Sequence, residues 1–181
     1  LVVGLIFTLL CVIMIYMQQP AGYITLWTMG SLIIPLTILI FYWEINIPRD
    51  IPIYTVIGVF FIGGAISLAI TLLMSAILPS EYGEFAWFAP VYEEPAKLLA
   101  AVIFIKKLNV KYGFGGLLLG GAVGAGFAAF ENIMYVINNL MNQSVMLGYA
   151  AAIGVQVEDP TSVAMQVFIL RSLLSFGGHT I

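Results

Sequence analysis

Long, mostly apolar stretches follow one another along this chain, separated by short polar or turn-forming segments. A helix needs about 20 mostly apolar residues to cross the hydrocarbon core of a bilayer. The pattern therefore predicts about six transmembrane helices, with more expected if the chain is longer than the printed sequence. Their predicted ranges are 1–17, 23–43, 53–78, 85–105, 113–137 and 162–181.

The connection between the last two predicted spans, residues 138–161, is longer than the others. Its segment YAAAIGVQVEDP is too short to cross a bilayer and predicts a position at the membrane interface. Asp159 is suited to cap a helix and Pro160 to occupy its first turn, so the sixth helix is expected to start there.

Composition defines the class of protein. Of 181 residues, 62% are hydrophobic and only 8% are charged, whereas a soluble domain is about half apolar and about a quarter charged. We therefore expect an all-α integral membrane protein, a single polytopic helix bundle over residues 1–181 in contact with the lipid bilayer. The net charge of −3 arises from few groups and indicates no nucleic-acid partner.

Basic residues predict the orientation of the bundle. Arg49 lies between the second and third predicted spans, and Lys106, Lys107 and Lys111 lie between the fourth and fifth. Because cytoplasmic loops are enriched in lysine and arginine, both loops are expected in the cytoplasm. The residues expected to face outward are Glu81, Glu84, Glu158 and Asp159.

Five charged side chains lie inside predicted spans, where such groups are costly. Each costs roughly 2.5–3.5 kcal/mol at the centre of a span, so all of them must be paired or hydrated. Charged groups at this depth are typical of a functional site. They are Glu93, Glu94, Lys97, Glu131 and Arg171.

Two of these carboxylates are adjacent and share one nearby base. Lys97 is four residues after Glu93 and three after Glu94, so it can pair with either on one helical face. One ammonium neutralises only one carboxylate, which favours a functional site over a purely structural ion cluster. Pro95 lacks an amide hydrogen and is expected to open the helix beside the carboxylates.

The fifth predicted span carries a second polar group in GFAAFENIMY. Glu131 and Tyr135 are one helical turn apart on one face, Asn132 is adjacent to Glu131, and Phe130 precedes both. Counted from the outer ends of their spans, Glu93 and Glu131 lie at similar depths. Antiparallel packing of the two spans is expected to bring these carboxylates level.

Glycines precede this polar group. Gly116, Gly120 and Gly124 follow one another at four-residue spacing, and small residues at this spacing allow a second helix backbone to approach closely. The pattern predicts a helix-packing face.

The sixth predicted span contains Arg171 and, eight residues later, His179, the one histidine of the chain. A lone histidine is more often a structural residue than a functional one. Its place after a Gly-Gly break and downstream of an arginine makes it a candidate for function. It reaches the middle of the membrane if the first turns of its helix stand outside.

Three motifs in order resemble those of the PrsW family. They are E-E-x-x-K at Glu93–Lys97, F-E-x-x-x-Y at Phe130–Tyr135, and R-x7-H at Arg171–His179. That family comprises multi-pass intramembrane proteases related to the CAAX prenyl proteases, and its founding activity is cleavage of a membrane-spanning anti-sigma factor. The resemblance implies that Glu93, Glu94 and His179 are the essential catalytic positions, within a catalytic half formed by residues 85–181.

Peptide hydrolysis needs a base that activates water and a donor that holds the oxyanion. A desolvated carboxylate beside a second one is suited to accept a proton, which assigns this role to Glu93 and Glu94 jointly. His179 would orient the water or protonate the leaving amine, and Asn132 is the candidate oxyanion donor. Glu131 is expected to position the water as a further catalytic residue. The supporting residues are expected to be Lys97 and Arg171, which hold the carboxylates, Tyr135 beside the water, and the flanking Phe130.

A zinc mechanism is the alternative within the protease class. Zinc hydrolases commonly use three protein ligands that include histidines, and the chain has no H-E-x-x-H motif. Glu93, Glu131 and His179 are the set that would bind a metal, but it is poor in nitrogen, so metal-free catalysis is favoured.

Two other classes of protein remain open on sequence alone. Buried Glu, Lys, Arg and His residues also occur in proton-coupled transporters and channels, and a proline-interrupted span is common there. A membrane-embedded scaffold with a structural polar cluster is the third reading. The absence of an internal repeat and the grouping of charges in spans four to six favour a protease acting on a single-span membrane protein.

Overall fold

The computed structural model describes residues 2–17, 20–47, 50–77 and 88–153. The described residues form five helices and no strand, which confirms the predicted all-α class. The predicted sixth span, residues 162–181, lies outside the described residues. The helices are α1 (Val2–Tyr16), α2 (Pro20–Ile45), α3 (Ile53–Ile77), α4 (Ala89–Lys107) and α5 (Gly113–Ile153).

Three helical segments in the described part of the chain are long and apolar enough to cross a membrane. They are Ile24–Ile45, Ile53–Ile77 and Gly113–Asn142, and a shorter apolar segment is Ile6–Tyr16. Helix α4 has 19 residues, close to the length of a span, but its charged side chains lower its mean hydropathy. The protein is therefore an all-α integral membrane protein.

Helix α5 is longer than the sequence pattern predicted. It has 41 residues and continues to Ile153, so the predicted end of the helix at residue 137 is wrong. At 1.5 Å per residue it is about 60 Å long, about twice the thickness of the hydrocarbon core. The reason is that polar residues after Ile137 end the apolar run without ending the helix, because no proline interrupts the backbone before residue 153.

A tight turn joins α4 to α5. Helix α4 has lysines in its last turn, and the backbone N–H of Leu108 still donates to the carbonyl of Phe104. Asn109 then adopts a φ of 51°, a left-handed conformation that asparagine tolerates better than most residues. The chain is thereby turned back within five residues, so α5 starts beside the end of α4.

Contacts divide the chain into two compact units. The first comprises residues 35–130 and contains the second part of α2, all of α3 and α4, and the first part of α5. The second contains α1, the first part of α2, and α5 from Glu131 onward. In this second unit α1 and α2 approach closely at Gly22, where a Cβ would lie 3.0 Å from the Ile15 backbone nitrogen.

Helices α3, α4 and α5 form the core of the first unit. Helix α3 packs along α4, and a Cβ at Gly63 would lie 3.3 Å from the Phe104 ring. On α5, Gly126 meets the backbone of α3, because an added Cβ would overlap the carbonyl of Phe60. A Cβ at Gly64 would in turn overlap the backbone of Gly126. These two glycines therefore permit the backbones of α3 and α5 to lie in direct contact.

The structure describes the surroundings of two of the three glycines on the predicted packing face of α5, Gly116 and Gly120. Among the described residues, nothing lies within 4 Å of a Cβ added at Gly120, and only the Ile105 side chain, at 3.8 Å, lies near one at Gly116. A close backbone contact is made by Gly126, which lies outside that four-residue series. Glycine spacing identifies faces on which an approach is allowed, but the neighbouring helix decides which of them is used.

Contacts near both ends of the packed helices define their directions. Ile105 lies near Gly116 and Lys97 lies near Phe127, so residue numbers fall along α4 as they rise along α5. Helices α4 and α5 are therefore antiparallel. Ile51, just before α3, lies near Gly115, and Gly64 lies against Gly126. Residue numbers therefore rise in the same direction along α3 and α5, so these two helices are parallel.

Candidate active site

The polar cluster begins in the first two turns of α4. Pro90 lies in the first turn, where its missing N–H would have no helical partner. The helix continues through Pro95, so the opening expected there is not observed. Pro95 still has no N–H to donate to the carbonyl of Val91, one turn earlier. The adjacent carboxylates are thus carried by a continuous helix rather than by a loop.

Lys97 holds both carboxylates of this helix. Its Nζ donates to Glu94 Oε1 at 2.7 Å and to Glu93 Oε2 at 3.5 Å. The predicted sharing of one ammonium by two carboxylates is therefore present. With one positive and two negative groups, the cluster has an excess of one carboxylate if both are ionised.

The two glutamates differ in exposure, which their adjacency in sequence did not reveal. The Glu93 side chain is 10% exposed and Lys97 is 9% exposed, whereas the Glu94 side chain is 62% exposed. Neighbouring residues on a helix are about 100° apart around its axis, and only the Glu93 side lies against the packed helices. The buried carboxylate is also the one farther from the ammonium.

An aromatic ring also contacts Lys97. Nζ lies 4.3 Å from the centroid of the Phe127 ring on α5, within the range of a cation–π interaction. Phe127 is fully buried. The lysine is thus held by charges from its own helix and by a ring from the antiparallel neighbour.

The polar residues of α5 are buried where the motif predicted them. Glu131 and Asn132 are each 6% exposed, whereas Tyr135 is 39% exposed. The Phe130 ring lies 6.3 Å from the ring of Phe61 on α3. Phe130 therefore packs against aromatic surface, and the two buried polar residues follow it along the helix.

Arg171 and His179 lie outside the described residues. The structure therefore does not test whether these two residues belong to the site, or whether His179 lies close to Glu93. The predicted proximity of Glu93 and Glu131 also stays a prediction.

Phe127 was not among the residues predicted for the site. The sequence held a signal for it, since it lies four residues before Glu131 and shares that face of the helix. Thr71 on α3 was also missed. It is a buried polar residue of a packed helix, and no sequence motif distinguishes it from the other hydroxyl residues of the chain.

The described part of the chain is thus that of a helical integral membrane protein which carries a buried cluster of ionisable groups. Residues 51–181 match the family described as PrsW family intramembrane metalloprotease. The match covers more than half of the chain, and the chain belongs to this family of intramembrane proteases, which confirms the predicted resemblance. Searches of curated proteins and of solved structures each give no match.

The family description names a metal, which raises the question of whether the described residues could bind a metal ion. In the described ranges, no group of three or more His, Cys, Asp or Glu residues is placed to hold a metal ion. The carboxylate of Glu93, one of the predicted ligands, lies 3.5 Å from the Lys97 ammonium, which occupies a position that a cation would take. Catalytic zinc commonly has histidine ligands, and His179 is not described. The described residues by themselves do not fit a metal centre.

Proposed function

We propose that this protein is an endopeptidase that hydrolyses a peptide bond in or near the transmembrane segment of a single-span membrane protein. The observation that carries the proposal is the buried Glu93 carboxylate, held at 3.5 Å by an ammonium that is closer, at 2.7 Å, to Glu94. Membership of an intramembrane protease family favours proteolysis over transport or a structural role. Residues 85–181 form the catalytic half in this proposal.

Glu93 is assigned as the base that activates water. Its carboxylate is the more buried of the two, and it is less tightly held by Lys97, because the ammonium is closer to Glu94. A desolvated carboxylate with loose pairing is suited to take a proton from water. Glu94 supports it by binding Lys97 and keeping the ammonium beside both carboxylates.

In the proposed reaction, the oxygen of water forms a bond to the scissile carbonyl carbon and Glu93 accepts the proton. The carbon–nitrogen bond then breaks, and the proton passes to the leaving amine, which gives a carboxylic acid and an amine. His179 would orient the water or deliver this proton, and the Asn132 amide would donate to the oxyanion. Arg171, Glu131 and Tyr135 would hold the carboxylates and the water.

The substrate class follows from the position of the site. Burial of Glu93 and Lys97 within packed helices of a membrane protein restricts access to segments that enter from the bilayer or its interface. A regulatory membrane protein with one transmembrane helix, of the anti-sigma-factor type, has suitable dimensions. The protein would act in the plasma membrane of a prokaryote.

Cleavage of a co-reconstituted single-span substrate tests the proposal. Glu93→Gln keeps the shape of the side chain but removes the base, so turnover is expected to fall at least about 100-fold. Glu94→Gln is expected to lose less, because its carboxylate is mostly exposed and acts through Lys97. Lys106→Gln, at the exposed end of the same helix, is the matched control and should cleave at the wild-type rate.

Unchanged cleavage by both Glu→Gln proteins would contradict the assignment of the base. Proton-coupled solute uptake that depends on Glu93, with no peptide product from any substrate, would favour a transporter instead.

A further inference from the structure

Thr71 is a buried hydroxyl residue that the proposed mechanism does not use. It lies on α3, is 6% exposed, and its Oγ1 is buried without a hydrogen-bond partner among the residues that the structure describes. A buried polar group without a partner destabilises a fold. Such a group in a native protein calls for an explanation.

Other hydroxyl residues in the helices of this protein bond to their own backbone. Ser67, one turn before Thr71, donates to the carbonyl of Gly64 at 3.0 Å, and Ser31 donates to the carbonyl of Trp27 at 2.8 Å. Serine and threonine commonly satisfy themselves in this way inside a helix. Thr71 makes no such bond among the described residues, so its hydroxyl stays available to a group from outside α3.

The packing of α3 along α4 gives the approximate level of Thr71 along these helices. Gly63 lies against Phe104 of the antiparallel helix α4. Thr71 is eight residues farther along α3 and Ala96 is eight residues earlier on α4, so each is about 12 Å from that contact in the same direction. Measured along the helix axes, this count places Thr71 close to the level of Ala96 and within about one helical turn of Glu93.

The face of α3 agrees with this placement. Gly64, Ser67 and Thr71 follow at spacings of three and four residues and are all buried, so they form one stripe. Gly64 on this stripe contacts α5 at Gly126. The hydroxyl of Thr71 thus lies on the packed side of α3, within the unit that also contains Glu93 and Lys97.

We propose that Thr71 binds the backbone of the substrate segment beside Glu93 and Lys97, a role that rests on the proposed function. A substrate helix must unwind locally before its peptide bond is attacked, and each freed N–H and C=O group needs a partner because hydrocarbon supplies none. A hydroxyl both donates and accepts a hydrogen bond. Thr71 would meet one of these groups when the substrate is in place.

Binding to an inactive enzyme tests this inference without requiring cleavage. The probe is a dye-labelled synthetic peptide with one transmembrane segment interrupted by Gly-Gly, chosen beforehand because it binds the Glu93→Gln protein in liposomes. Adding Thr71→Val should weaken its binding roughly 3- to 10-fold, the effect of one hydrogen bond. Thr71→Ser should restore the affinity, and Ser67→Ala, the matched control one turn away, should leave it unchanged.

Thermal unfolding separates binding from a structural role. Thr71→Val replaces an unbonded hydroxyl by a methyl group of the same shape, so the unfolding temperature should stay the same or rise. Unchanged peptide affinity, or a fall in both affinity and unfolding temperature, would overturn the inference. If the Glu93→Gln protein cleaves as fast as wild type, the proposed base is wrong, whereas the comparison of affinities still decides the role of Thr71.

Discussion

The Lys97 ammonium lies 4.3 Å from the centroid of the Phe127 ring. This contact links the helix that carries both adjacent glutamates to its antiparallel neighbour. The electron-rich face of the ring attracts the cation, by roughly 0.5–2 kcal/mol depending on desolvation. The ion cluster therefore depends in part on the packing of α4 against α5.

Removing the lysine should destabilise the fold. Lys97→Met keeps most of the side-chain volume but leaves the buried Glu93 carboxylate without its ammonium, which is expected to cost about 3 kcal/mol of unfolding free energy. Unfolding in mixed detergent micelles measures this change. Lys106→Met, at the exposed end of the same helix, should change stability by less than about 0.5 kcal/mol. Equal effects of the two changes would contradict the buried pairing.

A double-mutant cycle isolates the contact of Lys97 with Phe127. Phe127→Leu, Lys97→Met and the double variant should give a coupling free energy of about 0.5–2 kcal/mol, because both single changes remove the same interaction. Phe60 is also fully buried and its ring lies against Phe61 on its own helix, so Phe60→Leu serves as the control. Additive effects in the Phe127 cycle would show that the ring only fills space.

Glu131 is expected to act with Glu93 on one water molecule, because the two residues lie at similar depths in their predicted transmembrane spans. Glu131→Gln and Glu93→Gln should then be non-additive in cleavage rate, because residues that act as a unit lose most of their effect with the first change. Single-turnover cleavage of the reconstituted substrate measures the rates. A double variant slowed by the product of the two single effects would place Glu131 in a separate function.

Metal removal tests the family description against the favoured metal-free mechanism. Lys97 already supplies a positive charge to both carboxylates. Dialysis against a chelator is therefore expected to leave the cleavage rate within about twofold of its initial value. Removal of a catalytic zinc would cause a much larger loss. Metal content is measured on the same samples. Loss of cleavage that zinc restores would assign a metal ion, with Glu93, Glu131 and His179 as the first ligands to change.

The turn between α4 and α5 should face the cytoplasm. Asn109 has a left-handed backbone, which makes it a poor site for cysteine, whereas Tyr112 is 54% exposed. In a Cys11→Ser background, Tyr112→Cys should resist a membrane-impermeant thiol reagent in intact cells and react after lysis, because basic loops resist translocation. Reaction in intact cells would reverse the predicted orientation.

The sequence by itself determined the class of fold and the local part of the site. Long apolar runs require helices, because a backbone in hydrocarbon must satisfy its own hydrogen bonds. The ion pairs of Lys97 are also local, since side chains three and four residues apart meet on any helix. The apolar pattern underestimates the length of α5, because apolar character falls after Ile137 while the helix continues to Ile153.

Tertiary structure decided which face of each helix is buried. Glu93 and Glu94 are adjacent in sequence, yet only Glu93 lies against neighbouring helices. The same packing brought Phe127 to Lys97, selected Gly126 rather than Gly116 or Gly120 for the close backbone contact, and buried the hydroxyl of Thr71. Such choices depend on the register and direction of helices distant in sequence, and helical periodicity within one segment carries no information about its neighbour.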